Sequence, residues 1–450
     1  MWCEVTNQGR MTLDMFKILD LPQICPHLRF NGYFFKGDNS LSISIDTRTM
    51  ERGQVFMALK GPVWDGHDFI DDALLLGASG LIVLSSWQGD SSVPTFYCED
   101  PLHSLQEMAR HFRDIFEGPV VAITGSNGKT TTKDMVTHVL RKHGCSVVAT
   151  EGNQNNQIGV SLTLLRLTPD IDCAVLELGT NHKGEINALG ALVKPTLACI
   201  TQITEAHLEG LGSLEGVCEE KVSLLTHLVK EKILVFPESD PYLLQVAEKF
   251  DGDKRPVFCD TKHLPKGNLV IPDHMTLNIC LSLEIASCLG FKKDLSQVFL
   301  QDFSGAEGRF MVHQWSRIVC VDDSYNANPT SFHLGLKSLQ KWTHERLLLV
   351  LGDMEELGIH AKRLHQKLAQ DILEVKAGSV SWIGNWGDVV KEELELKKDF
   401  KGPWFSFKDV EAFKDNCPWT LKSGDLIYLK GSRTQHLDQL VSFFKKLRES

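Results

Sequence analysis

Residues 119–144 run PVVAI, then TGSNGKTTTK, then the helix-like KDMVTHVLRKHG, whose first Lys is the last of the motif. An apolar strand, a glycine turn and a helix start in that order leave backbone N–H groups facing inward, which is a cradle for phosphate. Gly125 and Gly128 let the backbone of Thr124, Ser126 and Asn127 turn in, Lys129 supplies a mobile cation, and Thr130 or Thr131 offers a hydroxyl to Mg²⁺. The unit points to a nucleoside triphosphate. Its spacing is not the usual GxxxxGK[ST], because the position six before Lys129 is Ile123 and the loop is shorter. Any Gly-rich loop can be a plain turn before a helix, but a five-residue apolar strand before GKTTT makes that reading weak here.

The rest of the chain continues the same alternation. From residue 119, PVVAIT, KDMVTHVLRKHG, SVVAT, SLTLLRL, CAVLELG, LACITQI and KILVF follow one another, the pattern of a mostly parallel sheet with helices on both faces. Ligands in such folds gather at the carboxyl ends of the strands. Before it lie short strand-like pieces, LSISID, QVFMAL and GLIVL, with DDALLLGA as a helix, and FEGPV marks a boundary by its Gly-Pro pair. After GAEGRF the alternation resumes with RIVCVDD, a helix from about Ser331, RLLLVLGD, a helix from His360, VSWIG, DLIYLKG and a closing helix from Thr434. With 450 residues, roughly three domains are expected. We expect an α/β chain with domains over residues 1–116, 117–310 and 311–450, the central one a parallel-sheet P-loop-type ATPase domain and the last Rossmann-like.

Composition narrows the partners. A formal net charge of −11 opposes general binding to nucleic acid or to an anionic membrane surface, so an anionic substrate must meet local Lys and Arg. The twelve Cys include no CxxC pair, and several lie in apolar runs such as LACIT and IVCVD, as reduced buried thiols do. No apolar run approaches the roughly 18 residues of a membrane span, and no basic-then-apolar leader opens the chain. A cytoplasmic location without stable membrane insertion is expected.

Three further groups lie at strand ends. Glu177 closes CAVLE, and His207 follows LACITQI; either one alone is more often structural, but both on one edge of a nucleotide fold favour a ligand role. Lys221, between Glu220 and Val222, reads either as part of a solvated charge run or as a metal ligand, the latter only if it is converted to an anion. Asp323, Asn326 and Asn328 in DDSYNANPTS suit a ribose or base by hydrogen bonding, or form an Asn-rich turn. Lys430 and Arg433 in YLKGSR either hold a phosphate or decorate a loop.

Taken in order, TGSNGKTTTK, EGNQNNQIGVSLTLLRLTP, ELGTNHKGEI, AHLEGLGSLEG, GRF, DDSYNANPTS, LGDMEELG and KGSR resemble the Mur ligase family, specifically its MurF type. The resemblance runs from SIDTRTMERGQVFMALKG, beginning at Ser44, to KGSR. It implies ATP-dependent ligation of D-alanyl-D-alanine to UDP-N-acetylmuramoyl-tripeptide, with ATP and Mg²⁺ as cofactors; separately, a monomer is expected. By resemblance, Lys129 and Thr130 contact ATP phosphates and the first Mg²⁺, while Glu177, His207 and Lys221 match a second-metal set in which the lysine is carbamylated. Arg309 and Asp323, with Asn278 and Asn326, match nucleotide positions. Asp46, Thr47 and Arg48 match the uridine site, and Asn155, Asn156, Asn328, Lys430 and Arg433 are the remaining substrate-binding candidates. The family's HNxxN string appears as HMTLN, keeping His274 and Asn278 but placing Met275 at the first Asn, and Asp438 replaces the usual Glu after KGSR. Ligases of the same scaffold that add one amino acid, and a non-catalytic relative that binds a UDP-sugar, are the rivals.

Overall fold

The computed structural model describes residues 17–31, 41–259, 273–300, 303, 305, 307–397 and 399–449. They build three sheets in chain order, each clothed by helices. The first sheet has strands β1 (Arg29–Asn31), β2 (Ile43–Ser44), β3 (Val55–Met57), β4 (Gly80–Leu84) and β5 (Thr95–Cys98) in the order β1-β5-β4-β3-β2. Only β1 runs antiparallel to its neighbour there.

The central sheet comprises β6 (Val120–Thr124), β7 (Val147–Ala149), β8 (Cys173–Glu177), β9 (Leu197–Ile200), β10 (Ile233–Pro237) and β11 (Asp253–Val257). Its order is β11-β10-β9-β6-β8-β7, and every neighbouring pair is parallel. Every residue of β6 and β8 is buried, which is why these strands read as unbroken apolar runs rather than as alternating ones. Register sets the chemistry: Ile123 pairs with Glu177, and Thr124 pairs with Ile200. The carboxyl ends of three adjacent strands are therefore level, and the chain leaving β6 enters the phosphate loop between its two neighbours. Order reverses around β6, which makes this the switch-point crevice.

The third sheet holds β12 (Met311–Trp315), β13 (Ile318–Asp322), β14 (Arg346–Gly352), β15 (Ser379–Ile383), β16 (Trp404–Phe407) and β17 (Asp425–Lys430), ordered β12-β13-β17-β14-β15-β16. All its pairs are parallel except β12 with β13. Register again levels the strand ends, with Asp322 opposite Leu429 and Leu351 opposite Lys430.

Helix boundaries differ from expectation in two places. The helix expected from about Ser331 spans Pro329–Leu339, because the Asn328 side chain caps it and Pro329 suits its first turn. The closing helix begins at Gln439 rather than Thr434, since Arg433–Gln435 form a tighter 3₁₀ turn and His436 takes a φ of 51°. The helix Pro101–Ile115 packs on the helix Gln157–Leu164, and Arg113 donates to the carbonyls of Val193, Phe116 and Lys194, binding the first unit to the second. Among the described residues no cysteine is joined to another in a disulfide, and burial pushes the Cys25 thiol up to about 12, so a thiol buried in this way is an unreactive packing group.

Candidate active site

A cleft of about 650 Å³ opens where the central and C-terminal units meet, within the roughly 300–1,000 Å³ typical of small-molecule sites. Its floor is the phosphate loop. Gly125, at φ 145°, passes so close to β9 that an added Cβ would lie 1.9 Å from the Thr201 hydroxyl. Gly128, at φ 79°, begins the helix Lys129–Lys142, and a Cβ there would strike the Asn278 amide oxygen at 2.3 Å. Both glycines are therefore required by conformation and by contact. Thr124 donates to the Leu178 carbonyl, and Ser126 exchanges hydrogen bonds with the backbone of Thr204, so the loop is fastened to both flanking strand ends. Lys129 Nζ donates to the Gly125 carbonyl at 2.8 Å. Burial lowers its affinity for a proton, opposed by the charge of Glu177, and Arg309 lowers it further.

Glu177 is 2% exposed. Its Oε1 accepts from the Asn155 amide at 2.9 Å, while Oε2 is buried without a hydrogen-bond partner among the described residues. An orphaned carboxylate oxygen level with a phosphate loop has the chemistry to hold a cation. Asn155 thus positions Glu177, and Asn156 caps the helix Gln157–Leu164 through the amides of Ile158 and Gly159.

His207 sits on the same edge with φ 53°, its Nδ1 2.5 Å from Glu356 Oε2. Burial lowers the His207 pKa, the Glu356 bond works against that, and the cations of Lys129 and Lys221 lower it further; the same bond, against burial, holds Glu356 below the usual carboxylate range. Lys221 is 1% exposed, on the helix Leu214–Val222, and is not the solvated residue of a charge run. Its neighbour Glu220 is occupied by the amides of Gly184 and Ile186. Burial, with Lys129 adding repulsion, pushes the Lys221 ammonium well below its ordinary pKa.

The C-terminal unit and the segment leading into it close the cleft. Arg309 donates to the Thr130 hydroxyl at 2.8 Å and lies 4.0 Å over the Tyr325 ring, whose other cationic neighbour is Arg433 at 5.7 Å. Asn328 combines its cap with a 2.6 Å bond to the Asn127 side chain in the phosphate loop. Asn326 bonds the next backbone amide, that of Ala327. Asp323 accepts from Tyr428 at 2.8 Å and from Lys430 at 2.7 Å, so Lys430 is an internal tie and not a free cation. Gly335 makes this possible, since a Cβ there would lie 2.0 Å from the Tyr428 hydroxyl.

Thr131, Asn278 and Met275 line the cleft, while the His274 side chain lies outside the described residues. Asp46, Thr47 and Arg48 are not among its walls; they follow β2, where exposed Arg48 forks onto Asp46. Tyr325, Tyr428 and Glu356 escaped the sequence reading, although LGDMEELG carries its acids just past a strand, as CAVLE does.

Comparison with known proteins gives the family. The Mur ligase middle domain matches residues 123–262, the Mur ligase glutamate ligase domain 308–433, and the Mur ligase family catalytic domain 41–88. Over 441 residues the chain is 33% identical to the UDP-N-acetylmuramoyl-tripeptide–D-alanyl-D-alanine ligase of Escherichia coli (strain K12), covering 91% of this chain and 95% of that one. The chain belongs to the Mur ligase family, MurF type. The ligase of the same name from Bacillus subtilis (strain 168) is 30% identical over 434 residues, covering 89% of this chain and 92% of that one. Among solved structures, MurF from Acinetobacter baumannii superposes with a TM-score of 0.83 at 26% identity, covering 98% of this chain and all of that one. MurF from Thermotoga maritima in complex with ADP does so with a TM-score of 0.74 at 26% identity, covering 91% of this chain and 98% of that one.

Proposed function

We propose that this Mur ligase joins D-alanyl-D-alanine to UDP-N-acetylmuramoyl-tripeptide using ATP, and so makes the pentapeptide precursor of peptidoglycan. The observation that carries the reading is one level edge holding the phosphate loop, Glu177 and His207, in a chain with MurF-type relatives along most of its length. The tripeptide carboxylate attacks the γ-phosphorus and ADP leaves, giving an acyl phosphate; the dipeptide amine then attacks that carbonyl and phosphate departs. Lys129 and the loop amides of Asn127 and Gly128 hold the phosphates and offset charge gathering on the transferring group, while the Ser126 amide is taken up by the Gln202 carbonyl. Thr130 would hold one Mg²⁺ with the phosphates, and Glu177, His207 and carbamylated Lys221 a second, which would supply further charge compensation when filled. Burial of Lys221 supports the carbamate, because carbon dioxide combines with the neutral amine, releasing one proton and leaving an anionic oxygen ligand.

Arg309, Asn278, Asp323 and Asn326 serve the nucleotide, and Asp46, Thr47 and Arg48 the uridine end, with domains over 1–116, 117–310 and 311–450. A cytoplasmic monomer completes the reading. The cytoplasmic part is in keeping with cysteines that form no disulfide among the described residues, where no helix is long and apolar enough to cross a membrane. The test is incubation with ATP and UDP-N-acetylmuramoyl-tripeptide, offering D-Ala-D-Ala or single amino acids and reading product mass. A pentapeptide product only with the dipeptide is expected. Product only with a single amino acid, or none with active relatives as controls, rejects the assignment.

A further inference from the structure

Glu356 belongs to the loop after β14, in the C-terminal unit, and His207 to the loop after β9, in the central unit. Their side chains meet at 2.5 Å. Both backbones lie in the left-handed region, Glu356 at φ 60° and His207 at φ 53°, a conformation that costs a non-glycine residue energy and persists only where the surroundings impose it. The surroundings do so from several sides. Asp353 accepts from the Trp382 indole and from the amides of Asn385 and Trp386. The Met354 amide donates to His365, and the Glu355 amide donates to the Ser432 hydroxyl. Met354 and Leu357 share one apolar cluster with Leu208 and Leu211, which follow His207, and the Glu209 amide donates to the Glu356 carbonyl at 3.2 Å. A rigid loop of one unit thus presents one carboxylate to one imidazole nitrogen of the other.

A carboxylate on Nδ1 fixes the tautomer and ring orientation of a histidine and leaves Nε2 as its metal-facing lone pair. We propose that Glu356 is a positioning residue that completes the His207 metal ligand only when the C-terminal unit is docked, so that cation binding and domain closure are one coupled event. The inference rests on the magnesium reading above. Coupling of this kind is reciprocal: if closure strengthens cation binding, the cation must favour closure by the same factor. It also gives the chain a safeguard, because an open enzyme holds the cation poorly and does not assemble the phosphoryl-transfer site in the presence of water.

The experiment uses the full chain and Mn²⁺ as the probe, with affinity read by electron paramagnetic resonance and closure by the small-angle scattering radius with and without Mn²⁺. Glu356→Ala is expected to weaken Mn²⁺ binding about 10–100-fold, the range for outer-shell partners of metal-bound histidine, and to abolish the Mn²⁺-induced compaction. Glu356→Gln, whose amide oxygen still accepts from Nδ1–H, recovers part of both and guards against a folding defect in the alanine variant. His207→Ala separates the two readings. If it weakens Mn²⁺ binding while both Glu356 variants bind and compact as wild type does, the coupling is overturned and the metal site stands. If His207→Ala itself leaves Mn²⁺ affinity unchanged, the metal reading fails and takes the coupling with it.

Discussion

Lys430 decides between two chemistries, because the sequence offers it as a phosphate cation and the structure ties it to Asp323. Its side chain is 2% exposed and that of Asp323 14%, and Nζ also approaches the carbonyls of Asp323 and Asn326 at 3.4 and 3.3 Å. Lys430→Met keeps the aliphatic stem near the Phe332 ring but leaves the carboxylate with only the Tyr428 hydroxyl. Breaking a buried pair by removing one partner costs about 3–5 kcal/mol, a large share of the roughly 5–15 kcal/mol that holds a domain folded. With a urea dependence of about 2 kcal/mol per molar, the unfolding midpoint should fall by about 2 M. Six of the nine tryptophans lie beyond residue 310, so intrinsic fluorescence reports this unit selectively. In an Asp323→Asn background the same substitution should cost less, since no carboxylate is left stranded. A Lys430→Met midpoint within about 0.3 M of wild type, together with a loss of nucleotide or UDP-substrate affinity, would refute the argument and restore the phosphate role.

Lys129→Ala should leave the melting temperature near wild type and cut turnover about 10²–10³-fold, the cost of one charge-stabilising donor; turnover within tenfold of wild type rules out its phosphate role. Enzyme depleted of carbon dioxide should lose activity and regain it with bicarbonate, with a mass gain of one CO₂ on Lys221 under native mass spectrometry, and Lys221→Ala should lose both responses. Asp322 is buried and its pKa is raised chiefly by desolvation, against the bonds from Ser324. A raised carboxyl ionises more readily unfolded, so its charge opposes folding above the folded pKa and ceases to below the unfolded one. Asp322→Asn should therefore melt higher than wild type at pH 7.5, with the gap closing toward pH 4; an equal or lower melting point at neutral pH contradicts the desolvation account.

What was legible in the sequence is what burial writes into it. β6, β8 and β17 are buried along their whole lengths, so they appear as apolar runs and announce a parallel sheet. β11, reading DKRPV, is an edge strand with three exposed residues, and no apolar pattern marks it. Glu177 and His207 could be read because a parallel sheet places its strand ends on one edge. The partners of side chains could not. Nothing in YLKGSR says that Lys430 turns inward to a carboxylate 107 positions earlier, or in EGNQNNQ that adjacent asparagines divide, Asn155 to Glu177 and Asn156 to a helix amide.

The same strand-end rule, carried one sheet further, would have found Glu356. LGDMEELG follows the apolar run of β14 as Glu177 closes that of β8, but the rule says only that a group lies on an edge, not which edge faces it. Facing is settled by packing between units, where Leu357 and Met354 enter the apolar cluster that holds Leu208 and Leu211. Apolar burial is non-directional and brings the two loops together at roughly 25 cal/mol per Å². Directed bonds, from His207 to the Glu356 carboxylate and from the Glu209 amide to the Glu356 carbonyl, then select one docking among the many that burial alone would permit. Specificity in this cleft therefore resides in polar contacts that cross between units, Asn328 to Asn127 and Glu356 to His207, each joining a C-terminal loop to the strand-end edge of the central sheet.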